Sequence, residues 1–462
     1  MKNIRIVHSN DVHSCFDKFI KMAYYIEQLK NDNTLLLDGG DYNDFSSPYT
    51  FGSNGYLGLK LLNDLGYNAL TIGNNEGFND VTLLEKMASY NFVNILSCNL
   101  KQTNGENIKN IKSSIIKEIN GIKFLIIGAS PYGESYNMYY NLHGLTSYNP
   151  TQFIRNEIST NKGKYDFIIL LSHLGLKSDI LMSQSIKEID IIIGGHSHHA
   201  MDVKKVNNTI IHQSGVRGSH IGYLDLKIEN GKIIDFSGKN IEITDSNKDN
   251  LQLKEEYEKL KQKSIEKLKE PLFKVPCDLM STISTESNLT NVVADYMYDN
   301  YSSDMALINS GLTERNLEKG YVSDYDLLEV CNSPLQVETI SIKAKFVLES
   351  LKESCSVEKC NDTHRRPGYR GKYLGKLQVS YNCQIIVENN IINLFINGKQ
   401  VAENDTLIIV TTDYFQRGMG YSLLGNNKLI KMYKESTFNV IKLALQSKEA
   451  YNHLEKERWC FK

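Results

Sequence analysis

Two imidazoles, two residues apart, close the segment Ile189–His198, IDIIIGGHSH. The apolar run has the composition of a strand buried on both faces, and the glycine pair permits a tight turn. His196 and His198 then leave the strand's carboxyl end, where open α/β sheets carry their chemistry. A single His-x-His is as readily structural as ligating. Four more segments end the same way. RIVHSNDVH carries a strand at Arg5–Val7 into Asp11 and His13, and TLLLDGGD carries Leu35–Leu37 into Asp38, two glycines and Asp41. NALTIGNNE ends in Asn74, Asn75 and Glu76, and DFIILLSH ends in His173. Asp38 and Asn10 can be read as helix caps, but histidine is a poor cap and the four histidines remain. Imidazole, carboxylate and carboxamide groups delivered from several strand ends make a donor set for divalent metal.

The elements needed to position these groups follow from periodicity. Helical spacing at Ile20–Leu29, Gly55–Leu65 and Val81–Ser89 alternates with the strands, the pattern of a layered α/β sheet. Gly222–Asp225 and the Glu-Asn-Gly-Lys turn at 229–232 predict a closing hairpin. The stretch 247–270 is dense in Lys and Glu, with Leu253, Tyr257, Leu260 and Leu268 at helical spacing, so a surface helix with a solvated face is expected, stopped by Pro271 and Pro276. Beyond it, residues 287–300 have a helix pattern and 304–311 a strand pattern, with further strands in LGKLQVSYN, IINLFING and DTLIIVTTDY. The expected organisation is a catalytic domain at 1–246, a charged linker helix at 247–271 and a second domain at 272–462.

Composition narrows the class. A chain of 462 residues with 41% hydrophobic content can bury a core large enough for two or three domains. A net charge of −2 supplies no field for nucleic acid or a membrane surface, so neither partner is expected, and the oligomeric state is left open. The first strand starts at Ile4, with no basic start and apolar core before it, and a cytoplasmic location is expected. The eight cysteines have irregular spacing and read as reduced thiols, Cys15 among them as a small packing residue.

In chain order, Asp11-x-His13, Gly40-Asp41, Gly73-Asn74-x-Glu76, His173 and Gly195-His196-x-His198 resemble the motifs of the dinuclear metallophosphoesterases. The stretches INSGL, LQVSY and RGMGY past residue 280 narrow the resemblance to the 5′-nucleotidase and UDP-sugar hydrolase family, over almost the entire chain. The resemblance implies an α/β fold: a layered metallophosphoesterase β-sandwich flanked by helices, followed by a smaller α+β substrate domain. It implies two divalent metal ions, for which this mixture of oxygen and imidazole suits Mn, Zn, Fe or Co. Carried over position by position, Asp41 bridges the ions, Asp11, His13 and His198 complete the first, and Asn74, His173 and His196 complete the second. A metal-bridging hydroxide would then attack a small-molecule phosphate ester, a nucleotide in this family, with no covalent intermediate.

Two departures bear on that reading. The chain has Gly-Asn-Asn-Glu in place of the family's Gly-Asn-His-Glu, so the catalytic position is Asn75, and Phe78 stands where the relatives have an orienting acid. Asn75 can donate a hydrogen bond but cannot carry a proton; His8, His199 and His220 are candidate substitutes. In the second domain the turn Arg417-Gly-Met-Gly-Tyr421 lacks the family's aspartate, Thr313 replaces an arginine, and Lys376 replaces an aromatic. Arg365, Arg366, Tyr373, Tyr414 and Arg417 are left as candidate substrate contacts. The expectation is a metal-dependent phosphohydrolase acting on nucleotides. Hydrolysis of a nucleotide sugar or other phosphoanhydride is the alternative within the class, and a catalytically weak, metal-containing nucleotide sensor is the alternative outside it.

Overall fold

In the strand Thr34–Asp38, Leu35 and Leu37 enter one hydrophobic core and Leu36 another. The same alternation divides Ile4 and Ile6 from Val7, Ile169 and Leu171 from Ile168 and Leu170, and Ile191 and Ile193 from Ile192. A period of two that is apolar on both phases requires cover on both faces of each sheet. The computed structural model, which describes residues 1–363 and 368–462, meets that requirement with two facing sheets and helices outside both. The shared middle core draws Ile4, Ile6, Leu35 and Leu37 from one sheet and Phe124, Ile126, Ile169 and Ile193 from the other.

The first sheet runs, edge to edge, Lys232–Glu242, His220–Glu229, Lys2–Ser9, Thr34–Asp38, Ala69–Thr71 and Asn94–Leu96. Its last four strands are parallel. The second runs Ala200–Val206, Thr209–Ser214, Ile191–Gly194, Phe167–Ser172, Ile122–Ala129 and Ser114–Ile119, with its four central strands parallel. Helices Phe16–Leu29, Tyr56–Leu65 and Val81–Ser89 cover the outer face of the first sheet, and Pro150–Thr160 and Leu176–Ser185 that of the second. The hairpin expected after residue 220 is present, and Asn230 and Gly231 at its tip both take positive φ, 49° and 71°, as a two-residue turn matched to strand twist requires.

The chain divides into two units, Met1–Ile265 and Glu266–Lys462. The charged helix Leu251–Leu268 buries Leu253 and Tyr257 in the first unit's core, so most of its length is part of that unit. The second unit is α+β. A five-stranded sheet is ordered Leu377–Val379, Met305–Asn309, Thr406–Thr412, Gln336–Lys343 and Asn427–Ser436, and a four-stranded sheet ends on Trp459–Phe461. Helices Asn288–Asn300, Ala344–Glu353 and Thr437–Gln446 close one continuous core over them.

Glu338, on the strand Gln336–Lys343, stands opposite Thr411 and Met432 on the flanking strands and is fully buried. Among the described residues neither of its carboxylate oxygens has a hydrogen-bond partner. Burial, reinforced by Asp413 and opposed by Arg417, pushes its carboxyl from the usual 4.5 up to about 8. Between those values the folded chain holds a proton that the unfolded chain has released, so stability is complete at low pH and falls as pH rises toward 8. Glu338→Gln is expected to change little at pH 5 and to stabilise at pH 8 by on the order of 2 kcal/mol, read by urea unfolding. An equal shift at both pH values would overturn this.

Candidate metal centre

Five loops leave the carboxyl ends of parallel strands and meet. Asp11 and His13 follow Lys2–Ser9, Asp41 follows Thr34–Asp38, and Asn74 and Asn75 open the short helix after Ala69–Thr71. His173 follows Phe167–Ser172, and His196 and His198 follow Ile191–Gly194. Ligand-type atoms of Asp11, His13 and His198 lie within 4.8 Å of one another, as do those of Asp11, Asp41 and His173. Both groups draw on both sheets, and Asp11 belongs to each.

The backbone is strained where the groups converge. Asp11, His13, Ser14, Asp41, His196 and His198 all have left-handed φ, between 49° and 72°, a region costly for residues with a Cβ. Hydrogen bonds hold it. The amides of Asp11, His13 and Ser14 donate in turn to the carbonyls of Gly40, Asp41 and Tyr42 at 2.8, 2.9 and 2.9 Å, lacing the first loop to the second. The Glu76 carboxylate accepts from the amides of Asp41, Asn43 and Gly73. Asn10 accepts from the Ser214 amide and donates to Asp11. A Cβ on Gly73 would overlap the Asp41 carboxylate, and one on Gly40, whose φ is +89°, would sit 2.8 Å from His173 Nδ1.

The electrostatics call for a cation. Nδ1 of His173 lies 2.6 Å from the Gly39 carbonyl and must donate to it, which leaves Nε2 to face the carboxylates, as a lone pair toward a metal ion or with a proton where there is none. That Nε2 is buried without a hydrogen-bond partner, 3.4 Å from Asp41 Oδ2 and 3.7 Å from Asp11 Oδ1. Nε2 of His198 is 3.4 Å from Asp11 Oδ1, and Nε2 of His13 is 4.0 Å from Asp41 Oδ2. Asn74 Oδ1 is likewise buried and unsatisfied. Lone pairs facing carboxylates repel unless a positive charge stands among them. Without a metal ion a proton on His173 Nε2 would supply it: burial opposes the charge, but Asp41 and Asp11 overcome it and raise the ring to about 10. Burial also opposes charge on Asp41, and His173 and His13 outweigh it to hold that carboxyl below its usual range. Burial, then His173, lowers His196 to about 4. The unpartnered His173 Nε2 and the orphaned Asn74 amide oxygen, both buried, fit divalent cations.

Asn75 donates its backbone amide to Asp41 Oδ1 at 2.8 Å, and its side-chain amide sits 2.6 Å from His13 Nδ1. Phe78 joins an aromatic cluster with Tyr136, Tyr139 and Tyr140. The three histidines considered as proton donors bond elsewhere: buried His8 with His212 at 2.8 Å, His199 with the Ser197 carbonyl, and His220 with Ser219. Cys15 precedes the helix Phe16–Leu29 and, like the other seven cysteines, is a free thiol. The sequence reading missed Tyr136, whose hydroxyl lies 2.7 Å from His196 Nε2, and the supporting roles of Glu76 and Asn10. Tyr136 sits on the helix Glu134–Leu142 and not in a loop that directly ends a strand.

In the second unit, Tyr414 is buried and stacked on Tyr369, ring centres 4.7 Å apart. At that distance the pair touches, leaving no slot for a base between the rings. Tyr373 is half-buried with the Lys372 ammonium 4.9 Å over its ring, and Arg417 pairs with Asp413 at 3.2 Å. A polar cavity of about 240 Å³ lies alongside, lined by Lys359, Thr363, Tyr369, Lys372, Tyr414 and Ser422. Arg365 and Arg366 lie outside the described residues. Among the described residues no helix is long and apolar enough to cross a membrane.

Residues 4–200 match the calcineurin-like phosphoesterases, and residues 269–425 match the 5′-nucleotidase C-terminal domain. An uncharacterised metallophosphoesterase of Bacillus subtilis, YunD, is 25% identical over 92% of this chain and 94% of its own. A 5′-nucleotidase of Diplobatis ommata is 27% identical over 64% of this chain, which spans 58% of that longer protein. The NAD nucleotidase structure from Haemophilus influenzae superposes over 100% of this chain and 97% of its own with a TM-score of 0.66 at 15% identity, a likeness of fold. With one match on each side of the unit boundary, the chain belongs to the calcineurin-like phosphoesterases that carry a 5′-nucleotidase C-terminal domain, a family of metal-dependent phosphoester hydrolases.

Proposed function

We propose that the chain removes phosphate from nucleotides, using two divalent ions held by Asp11, His13, Asp41, Asn74, His173, His196 and His198. The observation that carries this is the buried Nε2 of His173, without a hydrogen-bond partner and set between two carboxylates. Held by these residues, divalent ions would supply an acidic water and counter-charge for the phosphoryl oxygens. The residues themselves orient and neutralise. Nδ1 of His173 is tied to Gly39, which fixes its tautomer. Asp41 Oδ2 and Asp11 Oδ1 each reach toward both His13 and His173, so either carboxylate could be shared between two ions, and Asp41 is assigned that part by its place in the family motif. In the second unit, Lys359 and Lys372 line the polar cavity together with Asp362, and the two ammonium groups support recognition of an anionic substrate. The tyrosine pair favours contact with a face or edge of the substrate over insertion between rings.

A second reading within the class has its own support. The Asn75 amide is engaged with His13 and Phe78 is packed among tyrosines, so this part of the site offers a leaving group no proton. A phosphoanhydride, as in a nucleotide sugar, departs as a stable anion and needs none.

Two measurements follow. Asp41→Asn is expected to lower turnover of an aryl phosphate by on the order of 10²–10³, the scale of losing a preorganised electrostatic contact, and to reduce bound metal at both positions; Asp11→Asn should affect one. Metal analysis showing the reverse would put the bridge at Asp11, and full activity in both variants would end the dimetal reading. A nucleoside monophosphate compared with a nucleotide sugar, with added Mn²⁺, separates the two substrates: turnover of the sugar nucleotide alone would replace the first reading by the second.

A further inference from the structure

Tyr136 is placed by packing. Its ring stacks at 6.3 Å on Phe78 and at 6.3 Å on Tyr140, and meets the His196 ring edge-on at 5.9 Å. Phe78 also packs on Tyr139 and Tyr140, at 4.9 and 5.4 Å, so an aromatic wall on the helix Glu134–Leu142 sets the position of the hydroxyl. That hydroxyl lies 2.7 Å from His196 Nε2.

No cation fits between two atoms at hydrogen-bond distance, so His196 has only Nδ1 to offer a metal. A nitrogen that ligates presents a lone pair, and the ring's one proton must then sit on Nε2. The Tyr136 oxygen accepts that proton's hydrogen bond, which leaves the phenol's own hydrogen free to be donated. His173 shows the same logic with the nitrogens exchanged, Nδ1 donating to Gly39 and Nε2 left bare.

We propose that Tyr136 is a positioning residue of the metal centre, holding His196 in the tautomer with Nδ1 bare and turning its own O–H toward a phosphoryl oxygen of the bound ester. The inference deepens the phosphohydrolase reading and rests on it. It gives a centre in which Asn75 and Phe78 carry no proton a neutral hydrogen-bond donor from a third element.

Tyr136→Phe removes one oxygen and keeps the stack. Titration of Mn²⁺ into the metal-free protein, followed by the paramagnetic signal of the free ion, is expected to show one of two sites weakened by about 10–100-fold, with the other unchanged and the metal-free melting temperature preserved. With both sites saturated, kcat on an aryl phosphate should still be about 10–100-fold lower, as for loss of a donor to a developing charge. Tyr136→Leu should show the same metal defect together with a lower melting temperature. Unaltered Mn²⁺ affinity at both sites in Tyr136→Phe would overturn the positioning role, and full kcat at saturating metal would overturn the donation. If the unsubstituted protein hydrolyses no phosphate ester, the phosphohydrolase reading and the donation fall together, while the Mn²⁺ titration decides the tautomer by itself.

Discussion

Two carboxylates held beside each other in a dry site repel, and the structure depends on how this chain makes that arrangement tolerable. Asp11 and Asp41 come from adjacent parallel strands, and three successive amide-to-carbonyl bonds lace their loops together. Those bonds impose left-handed backbone on both residues, so the carboxylates cannot relax apart by turning the chain. The charge is met by imidazoles from the other sheet, with His173 favouring its proton because burial is outweighed by the two acids. Asp41 and Asp11 raise His173 to about 10 against burial, and burial together with His173 then lowers the neighbouring His196 to about 4, so protonation of one ring opposes protonation of the other. Cation binding is the natural resolution of that field.

The sandwich is what makes such a site rigid. Each contributing strand is apolar on both phases, and each face has its own core, so a strand end cannot shift without unpacking two layers. Strain in six site residues is therefore opposed by burial spread over the whole first unit. Glu76 shows the local form of this: a fully buried carboxylate spends its oxygens on the amides of Asp41, Asn43 and Gly73, tying the second and third strand ends together beneath the ligands.

Much of this was legible in the sequence because strand ends advertise themselves. An apolar run, then glycine, then histidine or aspartate, says where the chain turns and what it carries, and the turn at Gly40-Asp41 and the hairpin tip at Asn230-Gly231 fall where those residues occur. The charged segment was legible as a helix, but Leu253 and Tyr257 show that it is packed on the first unit's core, and periodicity alone does not reveal which neighbour an apolar stripe meets. Tyr136 was not legible, because a tyrosine in a helix rich in tyrosine has no local mark of function and acquires one only when His196 arrives from a strand 60 residues away. Tyr369 has no local mark either: it and Tyr373 are four residues apart, and only the fold decides which ring stacks on Tyr414.

The exchange of a histidine and an acid for Asn75 and Phe78 can now be read as one change. Both lie at the short helix Asn74–Gly77 and its carboxyl end, the first facing His13 and the second facing the aromatic wall. A charged side chain at the half-buried position 78 would give up the ring contacts with Tyr136, Tyr139 and Tyr140 and set its charge against their apolar faces. With phenylalanine there, the wall is apolar and stiff, and a histidine at 75 would lose the acid that orients it. Asparagine keeps a hydrogen bond to His13 without needing such support, so the two residues are coupled through packing, and neither is a free substitution in the presence of the other.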